Sequence, residues 1–389
     1  MPFGFVFPVV LLTVATLAVL VLPRRPRVLG GVGMWAGLVL SELSQLAFYL
    51  LALTTVLSVA GGDITSPAGW IMVAVAVLCL AGLALIFARG LRARAVVRDF
   101  LRTAGLAAPQ RRWPWARIML TPFLRRRGDV EHLRGLDYGP GGRRQQLDLY
   151  RRRSAPAGAP ILIHFHGGHF ATGRKDSQSL PLLYQLAARG WVCISANYRL
   201  KPEFGFHDHL SDAKRVIAWA REHGPEYGGD PATVIVAGSS AGAYLAALCA
   251  LTPGDPRFQP GFEAADTGVA AAVSLGGYLG ELDRDLDVPT SPEGYLRPDA
   301  PPFLIVHGGN DLMVPAAAAR GFAERLAAVS TSPVHFLELP YGQHTFDLFH
   351  SPRFEAVIDA VAAFGAAAKT SSRGGETKRP ESDTGEVFH

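Results

Sequence analysis

The chain has 389 residues, enough for two or three folding units and a sizeable core, which excludes a disulfide-stapled miniprotein. Hydrophobic residues make up 49% and charged residues 18%, too apolar for a disordered chain and suggestive of membrane segments. The net charge of +5 is unevenly spread: residues 1–90 hold 4 basic and 2 acidic groups, residues 91–153 hold 16 and 5, and residues 154–389 hold 18 and 26, so a basic collar separates an apolar head from an acidic body.

Three apolar runs fill the head: Phe3–Leu22, Val28–Ala60 and Ala68–Ala88. Each reaches the ~20 helical residues that cross a bilayer. The first has no basic residue before it and no small-residue cleavage site before Pro23, and two more runs follow, so it reads as a span rather than a cleaved leader. The second carries Ser41, Glu42, Ser44 and Gln45 together, and Glu42 is expected either to face a neighbouring helix in paired or protonated form or to lie in a stretch longer than the bilayer needs. Arg24, Arg25 and Arg27 lie in the first connection, Gly61–Pro67 has no basic residue, and Arg89, Arg92, Arg94, Arg98 and Arg102 follow the third run. The positive-inside rule then puts the amino terminus outside and the large carboxy-terminal body in the cytoplasm of a multi-pass membrane protein.

In residues 91–129 the run PQRRWPWARIMLTPFLRRRG interleaves Trp113, Trp115, Ile118 and Phe123 with arginines, and Pro114 and Pro122 break any long helix. The expectation is an interfacial linker or lid of short helices lying on the membrane or against the body, with anionic lipid headgroups as partner, and a plain packing arm is the equal alternative. No nucleic-acid-binding signature is present, so nucleic acid is not an expected partner.

From Val130 onward β-rich runs alternate with helical ones. Strands are expected at Gln146–Tyr150, Ile161–Phe165, Val192–Ala196, Val234–Ala237, Ala270–Ser274, Phe303–Val306 and His335–Leu339, and helices at Leu180–Arg189, Leu210–His223, Ala241–Leu251, Ala316–Val329 and Phe354–Ala366. Such alternation implies an α/β fold: a mostly parallel sheet over 130–367 with helices on both faces, preceded by three transmembrane helices over 1–90. Residues 368–389 are polar and read as a disordered tail. Cys79, Cys193 and Cys249 are far apart in apolar runs and read as buried thiols.

The chemistry centres on VIVAGSSAGAYLAAL, where Gly238-Ser239-Ser240-Ala241-Gly242 joins an apolar strand to an Ala-rich helix. Glycines flank the serine of such a nucleophile elbow because the turn is too sharp for side chains. In a chain with 42 glycines the pattern is weak alone, so context decides. ILIHFHGGHF puts His166-Gly167-Gly168-His169 at the end of a strand, PPFLIVHGGNDLMVP puts Asp311 after a later strand, and HFLELPYGQHTF puts His344 after the next. The order Ser240, Asp311, His344 is that of an α/β hydrolase. Ser240 is then the nucleophile, His344 its base, Asp311 the group that orients the imidazole, and backbone N–H groups of Gly168, His169 and Ala241 hold the oxyanion, in a loop that includes Gly167. His307 reads as a structural hydrogen-bonder, and Ser239 lies outside the middle of the motif. His164, His169, His207 and His209 lack an acidic partner at zinc-like spacing, so no metal and no cofactor is expected.

These residues, with LAARGWVCISANYRLKPE, HDHLSDAKRVIAWAREH and YGGDPATVIVAGSSAG, resemble the hormone-sensitive-lipase-like branch of the α/β hydrolases over about Gly135 to Phe364. The similarity is to bacterial carboxylesterases, especially membrane-anchored actinobacterial members. It implies ester hydrolysis of a small-molecule or lipid ester through an acyl-enzyme on Ser240, with Asp311 and His344 completing the triad and 166–169 as oxyanion loop. An amide or formamide hydrolase or peptidase on the same triad, or a non-catalytic membrane scaffold of this fold, are the alternatives. Three positions depart from the family: His169 stands where Gly or Ala is usual, and Ala243 and Tyr244 stand where Gly and His are frequent.

Overall fold

The computed structural model describes residues 3–21, 32–154 and 157–376. It begins with α1 (Phe3–Val21), α2 (Val32–Ala60) and α3 (Pro67–Thr103), all long and apolar enough to cross a membrane. The expected arginine loop Pro23–Arg27 lies outside the described residues. Leu11, Val56, Leu57 and Leu78 are each more than half exposed on this stem, the reverse of a water-facing surface. A Cβ on Gly82 of α3 would lie 2.7 Å from Thr16 of α1, so the small residue is what lets these two helices touch. Ser66 caps α3 by accepting from the Gly69 N–H, with Pro67 in the first turn. α2 is interrupted at Leu43 (φ −124°, ψ 22°), beside Glu42.

α3 does not stop at the expected boundary near residue 90. Its 37 residues make a rod of about 55 Å, longer than a bilayer core, that runs on into the body. The segment RGLRARAVVRDFLRT lacks proline and is rich in helix formers, and Ala93, Val97 and Leu101 recur at helical spacing and are buried. The first part of the expected linker is therefore docked helix. Only α4 (Trp115–Leu120) in the remainder matches the short-helix expectation. Trp113, expected at a membrane surface, is instead buried: its Nε1 donates to Asp359 at 2.9 Å and Arg94 lies 4.8 Å from its ring centre. Arg111 pairs with Glu355 and Asp359 at 2.5 and 2.6 Å. Trp115, Leu120, Phe123 and Leu124 remain exposed.

The body is one eight-stranded sheet: β1 (Val130–Asp137), β2 (Gln146–Arg152), β3 (Ala159–Phe165), β4 (Val192–Ala196), β5 (Gly229–Ser239), β6 (Ala271–Leu275), β7 (Phe303–Gly308) and β8 (Val334–Leu339), in the order β1-β2-β4-β3-β5-β6-β7-β8. β2 is antiparallel to β1 and β4, and β4 through β8 are mutually parallel. The helices are α5 (Leu180–Ala188), α6 (Phe206–His223), α7 (Ala241–Leu251), α8 (Ala316–Val329) and α9 (Pro352–Glu376). Because successive strand residues point to opposite faces, Val234 and Val236 of β5 join the core with α6, α7 and α8, whereas Ile235 and Ala237 join the core with α3, α5 and α9. The stem thus continues one of the two helical layers. β1 was not among the expected strands. α9 carries helix eight residues past Ala368 through AAAK and beyond, which shortens the expected tail, and 377–389 lie outside the described residues.

Candidate active site

Ser240 ends β5 and opens α7 with φ 53° and ψ −115°, a backbone conformation that costs on the order of 1–3 kcal/mol and persists only when its surroundings impose it. They do. A Cβ on Gly238 would lie 2.1 Å from the Gly242 carbonyl oxygen, and one on Gly242 would lie 2.0 Å from that of Phe165. The Ser240 N–H donates to the Leu275 carbonyl at 2.9 Å, tying the turn to the end of β6.

Three strand ends converge here. His344, after β8, has Nε2 2.9 Å from Ser240 Oγ and Nδ1 2.7 Å from Asp311 Oδ2, with Asp311 in the loop after β7. All three residues are buried. Asp311 Oδ1 accepts the N–H groups of Met313 and Val314 at 2.9 and 2.8 Å, and His307 Nε2 stands 3.2 Å from Oδ2. Burial pushes this carboxyl up, but the hydrogen bonds from His307, His344 and Val314 more than offset it and hold it at about 2. An ionised Asp311 fixes the proton of His344 on Nδ1, which turns the Nε2 lone pair to the Ser240 hydroxyl. The arrangement can therefore remove a proton from Ser240 and keep the resulting imidazolium paired. His307 donates from Nε2 to the Val314 carbonyl at 2.8 Å, a hydrogen-bonding role as expected.

Beside Ser240, His166 to Phe170 form the loop after β3, with left-handed φ at His169 (54°) and Phe170 (61°). The N–H of Gly167, a residue expected in the oxyanion loop, donates to Gln178 Oε1, so it is spent. Among the described residues the N–H groups of Gly168, His169 and Ala241 have no protein acceptor. His166 donates from Nδ1 to the Gly167 carbonyl at 2.7 Å, stacks on Tyr198, and is pushed down to about 4 by burial, so it holds the loop as a neutral ring.

Comparison with known proteins adds to this geometry. Residues 147–277 match the BD-FAE family. The chain is 40% identical over 285 residues to the probable carboxylic ester hydrolase LipM of Mycobacterium tuberculosis, covering 66% of each chain, and 40% identical over 258 residues to the esterase LipQ of the same organism, covering 59% of this chain and 61% of that one. The match thus spans just under two thirds of these relatives' length. Esterase 2 of Thermogutta terrifontis shares the fold with a TM-score of 0.53 at 24% identity, over 62% of this chain and 95% of that one. These relatives and the shared fold support an α/β-hydrolase carboxylesterase family.

A cavity of about 250 Å³ opens at Ser240, with His169, Lys201, Tyr244, Tyr278 and Met313 among its walls. No residue of 91–129 lines it, so the expected lid is not over this opening. The His169 ring takes part of the space that a Gly or Ala would leave empty, and the Tyr244 hydroxyl is held by the Thr290 carbonyl.

Behind the cavity lies a network that sequence reasoning missed. Asp347, three residues past His344, accepts from Ser179 Oγ at 2.7 Å and from Ser239 Oγ, and His164 Nε2 stands 2.9 Å from Ser239 Oγ. All four are buried. Burial drives His164 down to about 3, so its ring is neutral and donates from Nε2 to Ser239. Ser239 thus links the elbow to the loop that carries His344. The adjacency of Ser239 to the elbow was visible in the sequence, but its partners lie 75 and 108 residues away.

Proposed function

We propose that this protein is a membrane-anchored serine hydrolase that cleaves carboxylic esters through an acyl-enzyme on Ser240. One observation carries the reading: the continuous chain from Asp311 Oδ2 to His344 Nδ1 (2.7 Å) and from His344 Nε2 to Ser240 Oγ (2.9 Å), beside an open cavity. His344 takes the proton as Ser240 Oγ attacks the ester carbonyl, and Asp311 stabilises the imidazolium. The oxyanion is held by the N–H groups of Gly168, His169 and Ala241, with removal of such a donor costing roughly 2.7–4 kcal/mol where measured. His344 returns the proton to the leaving alcohol, and water then repeats the cycle on the acyl-enzyme. A cavity of about 250 Å³ favours a short acyl group.

The three apolar helices span the membrane in this reading, with the amino terminus outside and the catalytic domain in the cytoplasm, supported by the arginine-free loop 61–67 and the five arginines after the third run. The exposed Trp115, Leu120, Phe123 and Leu124 with the surrounding arginines rest on anionic lipid as an anchor. Hydrolysis of short-chain chromogenic esters by the full-length protein, with Ser240→Ala as control, tests the chemistry. Full activity in that variant would overturn it.

A further inference from the structure

A second cavity, of about 580 Å³, lies apart from Ser240, between the linker residues Phe123–Arg126, the edge strands β1 and β2, and the loop leading to α5. Its chemistry is cationic and incomplete. Arg125, Arg126 and Arg134 line it, and among the described residues none of the three makes an ion pair. Its acids are occupied: Asp148 accepts from Lys175 Nζ, His132 Nε2 and the Gly135 N–H, each at 2.9 Å, and Asp176 pairs with Arg174 at 3.2 Å. At its wall stands Tyr150, fully buried and stacked on His132, with a hydroxyl that has no hydrogen-bond partner among the described residues. Arg125 Nε is likewise buried and unpartnered. Orphaned buried donors cost stability unless something accepts from them.

Position completes the argument. Gln45 Nε2 of α2 donates to the Ile118 carbonyl of α4 at 2.8 Å, so the linker is tied to α2 some fifteen residues before its far end at Ala60, on the body side of the span. Phe123 and Leu124, both about half exposed, stand at the mouth of the cavity beside Arg125 and Arg126. Apolar side chains for acyl tails thus adjoin unpaired guanidinium groups for an anion.

We propose that this cavity binds the phosphate of an anionic glycerophospholipid, with Arg125, Arg126 and Arg134 neutralising the charge and Tyr150 donating a hydrogen bond to it. The site rests on the reading that the linker lies at an anionic membrane surface, and it makes that reading specific: one lipid at one place, rather than a diffuse basic face.

The test titrates the full-length protein in neutral detergent with dioctanoyl phosphatidylglycerol, dioctanoyl phosphatidylcholine, and glycerol 1-phosphate. Saturable binding of the phosphatidylglycerol, and much weaker binding of the other two, is expected. Arg126→Gln with Arg134→Gln weakens it by about 25-fold, fivefold per arginine. Tyr150→Phe weakens it roughly tenfold and does not lower the thermal midpoint of lipid-free protein, since that hydroxyl has no partner to lose and its removal relieves a buried orphan. Neither variant alters turnover of a water-soluble ester. If glycerol 1-phosphate binds as tightly as the lipid, the site takes a soluble phosphate and the lipid assignment falls. Equal phosphatidylglycerol binding by wild type and both variants overturns the cavity while leaving the surface reading intact, and no preference over phosphatidylcholine overturns both.

Discussion

Two buried polar clusters, one at the catalytic edge and one where the stem meets the body, solve the same problem with opposite consequences. At the edge, Asp311 and His344 are paired to each other while Ser240 keeps one side open to a cavity. At the seam, Glu42 of α2 accepts from Ser351 Oγ at 2.6 Å and from Arg353 of α9, and Arg353 also donates to the Ser41 carbonyl at 3.2 Å. Both Glu42 and Arg353 are 1–2% exposed, and neither lines a cavity at the catalytic edge. Glu42, expected to face a neighbouring helix in paired or protonated form, is paired, and the neighbouring helix is α9 of the body. A charge in apolar surroundings signals a constrained pair in both places, but only the pair with an open third member is equipped for chemistry.

That contrast can be broken from each end. Replacing Ser240 or His344 by Ala should lower kcat by roughly four to six orders of magnitude, non-additively, and Ser240→Ala should do so with an unchanged thermal midpoint. Replacing Glu42 by Ala should do the reverse: it strands the Arg353 guanidinium and costs about 3–5 kcal/mol of stability, read as a lowered unfolding midpoint in detergent. Glu42→Leu combined with Arg353→Met should recover most of that loss, because an apolar pair needs no partner. If the double variant is as unstable as the single, the seam depends on more than this ion pair.

The same contrast explains what the sequence could disclose. Ser240, Asp311 and His344 were legible because each sits directly after an apolar strand and the elbow requires glycines at fixed places. β1 was not: HLRGLD is a charged edge strand with an irregular register between Leu133 and Leu136, so it shows no clean alternation. Trp113 and Arg111 misled because a basic-aromatic run suits a lipid surface and a protein groove equally, and the deciding carboxylates, Glu355 and Asp359, lie more than 240 residues away. Arg89 and Arg92 likewise serve docking, with Arg89 4.6 Å from the Tyr341 ring centre and Arg92 3.2 Å from its hydroxyl. The Gln178 contact that consumes the Gly167 N–H leaves no sequence pattern at all.

A smaller effect sharpens the electrostatics of the edge. Asp311 is held at about 2 against an ordinary value of 3.8, so its contribution is present above that ordinary value and is lost as pH falls through about 2. The contribution is on the order of 2 kcal/mol. Thermal midpoints of wild type and Asp311→Asn should differ most above pH ~4 and converge on acidification. Parallel curves would mean that the carboxylate is not the group responsible.

The smallest effect lies behind the catalytic edge, at Ser239. Its hydroxyl receives from His164 and donates to Asp347, so Ser239→Ala leaves a buried imidazole N–H without an acceptor and leaves Asp347 with Ser179 as its remaining side-chain donor. Such losses cost about 1–3 kcal/mol of stability. Because Asp347 follows His344 by three residues, loosening it also lets the base drift from Ser240, and a few tenths of an ångström at a 2.9 Å contact is felt in proton transfer. The expected outcome is a kcat several-fold lower with KM little changed, since neither Ser239 nor Asp347 lines the cavity. Ser239→Thr keeps the hydroxyl and should retain more of the rate than Ser239→Ala. A variant that loses stability but keeps full kcat would show the network to be packing alone, with the base loop held by its other contacts.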